Sequence, residues 1–243
     1  MFDQLKFRYR AWRYASLLDR AEIECINRQL QAGQLAVDVG AHKGGYLYWL
    51  RKGVGRTGRV VAFEPQPVLS AYLSSIVRKM GYGNVVIENK GVSSESGFFD
   101  LYIPDNGKLS SPGARLDAGT EEDNTFRKVQ IETVALDSYF QERKKKIALL
   151  KIDVEGHELE VFRGAEIILG EDRPLLLFEC EQRHHQDLDI AEIFAFLKER
   201  GYEGSFIYRG QRLPIEQFSV EQHQTSKHFK DADYCNNFVF QAV

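Results

Sequence analysis

The chain has 243 residues, of which 43% are hydrophobic and 12% aromatic, and its formal net charge is −3. This length and apolar content suit one large domain with a sizeable core. The slight negative charge argues against the general electrostatic attraction that draws proteins to nucleic acid or to anionic membranes, so no nucleic-acid partner is expected.

The number and spacing of the cysteines, together with the hydropathy, indicate the cellular compartment of the protein. Cys25, Cys180 and Cys235 are odd in number and widely spaced. They indicate neither a disulfide framework nor a CxxC metal motif, so a reducing compartment fits best. No secretory signal is visible, and no apolar run reaches the ~18 residues of a transmembrane segment. The sequence therefore predicts a soluble cytoplasmic protein.

Residues 1–34 form a segment that precedes the regular part of the chain. About the first 30 are predicted to be helical, and basic and aromatic side chains are mixed between Lys6 and Tyr14. The pattern predicts a helical segment that packs one face on the domain. A lid, the arm of a homodimer or a surface-binding element is the alternative.

Short apolar runs alternate with amphipathic stretches from residue 35 onward. Strands are predicted over 35–39, 59–63, 85–87, 147–152, 175–178, 205–208 and 238–243. Helices are predicted over 45–52, 69–80, 158–169 and 190–197, where apolar residues recur at helical spacing. We therefore expect an α/β fold with a doubly wound, mainly parallel sheet that is covered on both faces.

One stretch interrupts this alternation. Residues 97–103 and 126–134 predict two extra strands, so a two-strand insert spans about 97–134. The linker over 104–125 is rich in Gly, Ser, Asp and Pro and contains Ser110, Ser111 and Arg115. Connections this long are often functional, so we expect it to contribute to a substrate site; a disordered excursion is the alternative.

A glycine-rich turn follows the first predicted strand, in the sequence VDVGAHKGGY over 37–46. Glycines let the backbone approach a ligand closely, and the next helix offers free N–H groups. The spacing lacks the GxGxxG of dinucleotide-binding proteins and the Lys-Ser/Thr ending of a phosphate loop. An acid before the turn opposes a pyrophosphate but suits a ligand with an ammonium group. The candidate binding residues are Asp38, Gly40, Ala41, His42, Gly44 and Tyr46.

The next two strand ends supply further candidates. Glu64 closes the second strand in the sequence AFEP, where a carboxylate can accept hydrogen bonds from the vicinal hydroxyls of a ribose. An acid that stabilises the following helix is the alternative. Asn89 and Gly91 follow the third strand, where an adenine ring would lie in this architecture; a simple turn is the other interpretation.

Titratable side chains crowd the ends of the strands over 147–152 and 175–178. Asp153, Glu155 and His157 follow the first of these strands. A histidine suits the removal of a proton from a hydroxyl acceptor, and the carboxylates suit its orientation; a surface histidine is the alternative. Glu179 could join Asp153 around Mg²⁺. His184 and His185 are typical of a solvated loop pair.

At these residues the chain resembles the FkbM family of S-adenosylmethionine (SAM)-dependent methyltransferases. The matching sequences, spread over residues 35–178, are VDVGAHKGGY, AFEP, VALDSYF and LLKIDVEGHELEVFRGA, together with the two-strand insert. The resemblance implies a Rossmann-like class I methyltransferase domain over 35–243 with an antiparallel last strand. It implies SAM contacts at Asp38, Gly40, His42, Gly44 and Glu64. It also implies O-methylation of a small-molecule or glycan acceptor, often a sugar hydroxyl in a glycan, a glycolipid or a natural product.

Two other classes of function stay open. One is an NAD-dependent oxidoreductase on a Rossmann sheet, against which the missing GxGxxG and the acid before the glycine turn both argue. The other is a non-catalytic nucleotide-binding module, against which the acids crowded at two strand ends argue. Fold alone does not decide between them.

Overall fold

The computed structural model describes residues 2–105, 113–114, 116, 126–185, 187–225 and 233–243. The predicted linker residues Ser110, Ser111 and Arg115 lie outside the described residues. The described strands are β1 (Leu35–Val39), β2 (Arg59–Phe63), β3 (Val85–Glu88), β4 (Gly91–Val92), β5 (Gly97–Pro104), β6 (Phe126–Val134), β7 (Ile147–Ile152), β8 (Leu175–Glu179), β9 (Tyr202–Tyr208), β10 (Gln211–Pro214) and β11 (Asn237–Ala242).

Eight of these strands form the central sheet, in the order β10-β9-β11-β8-β7-β1-β2-β3. The five strands from β8 to β3 are parallel. The last strand, β11, pairs antiparallel with both β8 and β9. The predicted mainly parallel sheet with an antiparallel last strand is therefore confirmed.

The edge strand β10 was not predicted. Its sequence, Gln-Arg-Leu-Pro, has one apolar residue besides proline, and it pairs with β9 as a hairpin. Because such a short, exposed edge carries no hydrophobic alternation, tertiary pairing rather than local pattern makes it a strand.

A second, smaller sheet contains the predicted insert. β5 and β6 pair antiparallel, as predicted, and β4 adds a third strand parallel to β6. A strand of two residues is too short to show alternation. Through the pairing of β4 with β6, the insert is anchored to the residues that follow β3.

The helices are α1 (Phe2–Arg13), α2 (Arg20–Gln29), α3 (Leu47–Val54), α4 (Pro67–Lys79), α5 (Leu136–Tyr139), α6 (Glu158–Arg163), α7 (Glu166–Glu171), α8 (Ile190–Glu199) and α9 (Val220–His223). A π-helical turn over Tyr14–Leu18 joins α1 to α2. Short 3₁₀ turns cover Gln182–His184 and Ile215–Gln217. Within the described ranges, no helix is both long enough and apolar enough to span a bilayer.

The helix predicted over 158–169 is two helices. The carbonyl of Gly164 accepts a hydrogen bond from the N–H of Asp137, 2.8 Å away, which diverts it from helical bonding. The carboxylate of Asp137 in turn accepts from the N–H groups of Ile167 and Ile168, at 2.8 and 3.0 Å. A distant acid thus caps α7 and starts a new helix, an interaction that local periodicity does not show.

Helices cover both faces of the central sheet. Alternate strand residues point to opposite faces. One face buries Ala36 and Val60 with side chains of α1 to α4, and the other buries Val37 and Phe63 with side chains of α6 to α8. The sheet is thus doubly wound, as predicted.

The N-terminal segment lies on the first of these faces. Phe7 and Ala11 of α1 are buried, while Tyr9 and Trp12 on its opposite side are 60% and 52% exposed. The prediction that this segment packs one face on the rest of the chain is confirmed.

Candidate active site

A cavity of about 270 Å³ opens at the carboxyl ends of β1, β2, β7 and β8. Ligands of open α/β sheets bind at this edge because the strand ends and the following loops converge there. Eight predicted site residues line this cavity together: Gly40, His42, Glu64, Gly91, Asp153, Glu155, His157 and Glu179. The other five, Asp38, Ala41, Gly44, Tyr46 and Asn89, are not among the lining residues, and the roles of all thirteen residues stay predictions.

Gly40 is required where β1 meets the loop after β7. Its φ is +80°, and a Cβ placed there would lie 1.8 Å from the carbonyl oxygen of Asp153. Gly44 has φ +77°, and a Cβ there would lie 2.7 Å from the ring of Phe7. The turn therefore brings two strand ends and the N-terminal helix into close contact, which any side chain at Gly40 or Gly44 would prevent.

Glu64 is held by the main chain. Its Oε2 accepts a hydrogen bond from the N–H of His42 at 2.7 Å, and its Oε1 accepts from the N–H of Gln66 at 2.9 Å. The side-chain amide of Asn89 donates to the carbonyls of Glu64 and Pro65, at 2.9 and 3.0 Å, and so fixes the turn. Burial raises the pKa of Glu64 to about 7, although the two N–H donors oppose this rise.

A buried lysine lies beneath this edge of the sheet. Lys151 is 1% exposed, and its Nζ lies 3.3 Å from Oδ2 of Asp153 and 4.7 Å from the ring centre of Tyr46. Burial alone would lower the pKa of Lys151, but Asp153, Glu179 and Asp38 raise it above its usual value. The ammonium therefore stays charged and compensates the surrounding carboxylates.

Asp38 shares this environment. Asp38 on β1 lies opposite Lys151 on β7 in the register of the two strands. Burial raises the pKa of Asp38 to about 6, and the charge of Lys151 opposes this rise. Its Oδ2 is buried and has no hydrogen-bond partner among the described residues.

A second wall of the cavity is formed by the loop after β7. Glu155 has φ +55°. Its Oε1 accepts from the N–H of Gly113 at 3.2 Å, and its Oε2 lies 3.1 Å from Nδ1 of His184. Burial raises the pKa of Glu155 to about 7, and the charge of Asp153 adds to the effect. A carboxyl that titrates near neutral pH can exchange a proton with a substrate.

His157 and Glu179 complete this wall. Nε2 of His157 lies 2.9 Å from Oγ of Ser93, which holds the imidazole in place. Oε1 of Glu179 accepts a hydrogen bond from the side-chain amide of Asn236 at 2.6 Å. Burial raises the pKa of Glu179 well above its usual value, and Asp153 raises it further.

Comparison with known proteins assigns the chain to a protein family. The model described as "Methyltransferase FkbM domain" matches residues 38–203, more than half of the chain. The chain belongs to the FkbM methyltransferase family. The resemblance read from the sequence is confirmed, and family membership supports SAM as the cofactor.

One curated relative is methyltransferase sdnD of Sordaria araneosa, which is 28% identical over 162 residues. The aligned region covers 56% of this chain and 62% of that relative, so the chain spans less than two thirds of the relative's length.

Solved structures share the fold. Methyltransferase FkbM from Methylobacillus flagellatus KT superposes with a TM-score of 0.54 at 15% identity, covering 98% of this chain and 54% of that one. Cofactor-bound Rv0187 from MTB superposes with a TM-score of 0.52 at 14% identity, covering 100% of this chain and 90% of that one. The fold is that of the class I SAM-dependent methyltransferases.

The FkbM cavity has unpaired polar atoms that suit SAM. Nε2 of His42 is buried without a hydrogen-bond partner among the described residues, and burial lowers the pKa of His42 to about 4, so its imidazole is neutral. Each carboxylate oxygen of Glu64 can accept a hydrogen bond beyond the one it already has. These groups could hold the polar ends of the cofactor.

Sequence reasoning missed Tyr14 as a cavity residue. Tyr14 lies in the π-helical turn and lines the cavity, and a Cβ on Gly45 would lie 2.6 Å from its ring. The N-terminal segment is tied down beside it, since Arg10 donates to the carbonyl of Lys43 at 2.7 Å. π-Helical turns often occur at functional sites, but a single aromatic residue in a basic helix gives no such signal in the sequence.

The expectation that His184 and His185 are a solvated pair is wrong for His185. The 3₁₀ turn over Gln182–His184 folds back, and His185 is 7% exposed. In the described part of the chain, the three side chains with converging metal-ligand atoms are Glu158, Cys180 and His185. That group does not include Asp153 or Glu179, whose Mg²⁺ site stays a prediction.

Proposed function

We propose that the protein transfers the methyl group of SAM to a hydroxyl oxygen, in a sugar of a glycan, glycolipid or other natural product. The observation that carries this proposal is the shared cavity. Gly40, His42 and Glu64 line one part of it, called the cofactor wall, and Asp153, Glu155 and His157 line an adjoining part, called the acceptor wall. A cofactor on the first wall would present its methyl group to an acceptor on the second.

The chemistry is an in-line displacement. When bound, SAM supplies an electrophilic methyl group on a sulfonium centre, with S-adenosylhomocysteine as the product. The acceptor hydroxyl oxygen forms the new C–O bond, and its proton passes to the imidazole of His157. Ser93 keeps that imidazole in position through the 2.9 Å contact. Glu64 receives the ribose hydroxyls, as its place at the end of β2 suggests.

A sugar acceptor is favoured by the hydrogen-bond acceptors of the second wall. Asp153, Glu155 and Glu179 all line it, and carboxylates accept hydrogen bonds from hydroxyl groups. Vicinal hydroxyls present several such donors in a fixed geometry. We therefore propose that these acids orient a polyhydroxylated acceptor.

Activation by Mg²⁺ at Asp153 and Glu179 is the competing mechanism. The ammonium of Lys151 lies 3.3 Å from Asp153. Because this ammonium already balances the charge of Asp153, a second cation is not needed there. This contact favours His157 as the base. One variant, His157→Ala, and a chelator separate the two mechanisms.

The proposal is tested first by binding. Calorimetry should show micromolar binding of SAM or S-adenosylhomocysteine and weaker binding of NAD. Tighter binding of NAD would refute the proposal.

Methyl transfer is tested with methyl-labelled SAM and a panel of free sugars, glycosides, amines and carboxylic acids. Label on a sugar that survives alkaline hydrolysis identifies an ether, whereas a methyl ester would be cleaved. With an accepted sugar, His157→Ala should lower the rate roughly 10²- to 10⁴-fold, and a chelator should have no effect. Loss of activity with the chelator, together with an active His157→Ala variant, would establish the metal mechanism instead.

A further inference from the structure

A buried group of three ligand-type side chains lies next to the active-site wall and is unused by the proposed reaction. Glu158 is the first residue of α6, Cys180 directly follows β8, and His185 follows the 3₁₀ turn after β8. Glu158 and Cys180 are each 1% exposed, and His185 is 7% exposed. Two loops that begin at neighbouring strands therefore place a carboxylate, a thiol and an imidazole together.

The donor atoms of this group converge. Nε2 of His185 lies 2.9 Å from Oε2 of Glu158 and 3.6 Å from Sγ of Cys180, and the three atoms lie within 4.8 Å of one another. Around a tetrahedral Zn²⁺, the usual bond lengths place such N, O and S atoms roughly 3.4 to 3.6 Å apart. Small side-chain adjustments would bring all three atoms into the coordination shell of one ion.

The carboxylate of Glu158 gives an independent indication. Oε1 accepts a hydrogen bond from the N–H of Gly156 at 3.1 Å. Oε2 is buried, and no described residue gives it an aligned hydrogen bond, although Nε2 of His185 is close. A buried carboxylate with an unsatisfied oxygen is costly unless a cation meets it.

The guanidinium of Arg183 is already engaged with another carboxylate. Both carboxylate oxygens of Glu181 accept hydrogen bonds from the guanidinium of Arg183, at 2.5 and 3.1 Å. The ligand atoms that converge with the carboxylate of Glu158 belong to an imidazole and a thiol, and these three groups form a ligand set typical of Zn²⁺.

We propose that Glu158, Cys180 and His185 bind one Zn²⁺ ion. The site lies outside the cofactor cavity and does not depend on the identity of the methyl acceptor. The ion would cross-link the loop after β7, which carries Glu155 and His157, to the loop after β8. Because Cys180 must lose its proton to become a thiolate ligand, zinc uptake would release a proton.

The test uses the purified full chain and Zn²⁺ or Co²⁺ alone. Protein from zinc-supplemented cultures should contain about one zinc per chain by mass spectrometry of metals. After chelation and reloading with Co²⁺, the protein should show a thiolate-to-cobalt charge-transfer band. Cys180→Ser should abolish the band and weaken Zn²⁺ binding at least about tenfold, and Glu158→Gln should also weaken binding.

Cys235→Ser is the matched control. Cys235 is equally buried, but its sulfur contacts the backbone carbonyl of Asn237. This variant should keep the zinc and the charge-transfer band. The wild-type measurement decides the question even if a ligand variant does not fold. A metal-free wild type whose cobalt form lacks the band, or an equal loss of the band in Cys235→Ser, would overturn the proposal.

Discussion

The two walls of the cavity hold their acids in different ways. On the cofactor wall, Glu64 is fixed by two backbone N–H groups. On the acceptor wall, Glu155 contacts the side chain of His184 and one backbone N–H, and Asp153 pairs with the side chain of Lys151. Backbone donors cannot change without changing the turn, whereas side-chain partners can rotate or be substituted. We therefore propose that the first wall suits one fixed ligand, the cofactor, and that the second can be altered to suit different acceptors.

The largest expected effect comes from the turn of the cofactor wall. Gly40→Ala should abolish cofactor binding, because its Cβ would overlap the carbonyl of Asp153 and its φ is positive. Calorimetry with S-adenosylhomocysteine and circular dichroism measure binding and folding. Gly81→Ala is the control, since Gly81 also has positive φ but has open space around it. Loss of binding in Gly40→Ala alone supports the requirement, whereas normal binding by Gly40→Ala would refute it.

The second largest effect is expected from removing the buried positive charge of Lys151 beneath both walls. Lys151→Met should destabilise the protein by about 3–5 kcal/mol, because it leaves buried carboxylates without their cation. Urea denaturation measures the loss. Lys144→Met, at an exposed lysine, should change stability by less than ~0.5 kcal/mol. Equal effects of the two substitutions would show that Asp38, Asp153 and Glu179 do not need the ammonium.

Substitution of Glu64 should affect cofactor binding, which substitution of an acid on the acceptor wall should leave unchanged. Glu64→Ala removes the acceptor of two backbone N–H groups and should weaken S-adenosylhomocysteine binding roughly 10²-fold, at about 1.5–3 kcal/mol for a hydrogen bond to a charged group. Glu155→Gln, on the other wall, should leave that affinity within about threefold. An unchanged affinity in Glu64→Ala would refute the ribose assignment.

The last expected effect concerns pH. Burial raises the pKa of both Glu64 and Glu155 to about 7, above the ~4.3 of an unfolded glutamate. Between these values the folded chain keeps protons that the unfolded chain has released, so both groups make stability fall as pH rises from about 4.5 to about 7. Denaturation at several pH values should show a shallower fall in Glu64→Gln and in Glu155→Gln. An unaltered slope would mean that neither carboxyl is protonated in the folded state.

Much of the site could be predicted because it follows strand ends. Glu64, Asp153 and Glu179 each end a run of apolar residues or follow it directly, and parallel strands must bring those ends to one edge. What local pattern could not show are the partners supplied from elsewhere in the chain. Lys151 is an example: in the sequence it interrupts an apolar strand, and only the packed sheet shows that it compensates three acids.

The same limit applies to the fold. The start of α7 depends on Asp137, about 30 residues earlier in the chain, which accepts hydrogen bonds from its N–H groups. β10 depends on its pairing with β9. Both features are set by contacts between distant segments, whereas periodicity reports only on neighbours along the chain.

The position of Tyr14 has a practical consequence for dissecting the protein. It lines the cavity from the segment over 1–34, and Asn236, which binds Glu179, follows the family match that ends at residue 203. A fragment trimmed to the matched region would lose a wall residue at one end and a support of the acceptor wall at the other. Chimeras that exchange acceptor specificity between relatives should therefore join outside both residues, and carry the two flanks together with the core they enclose.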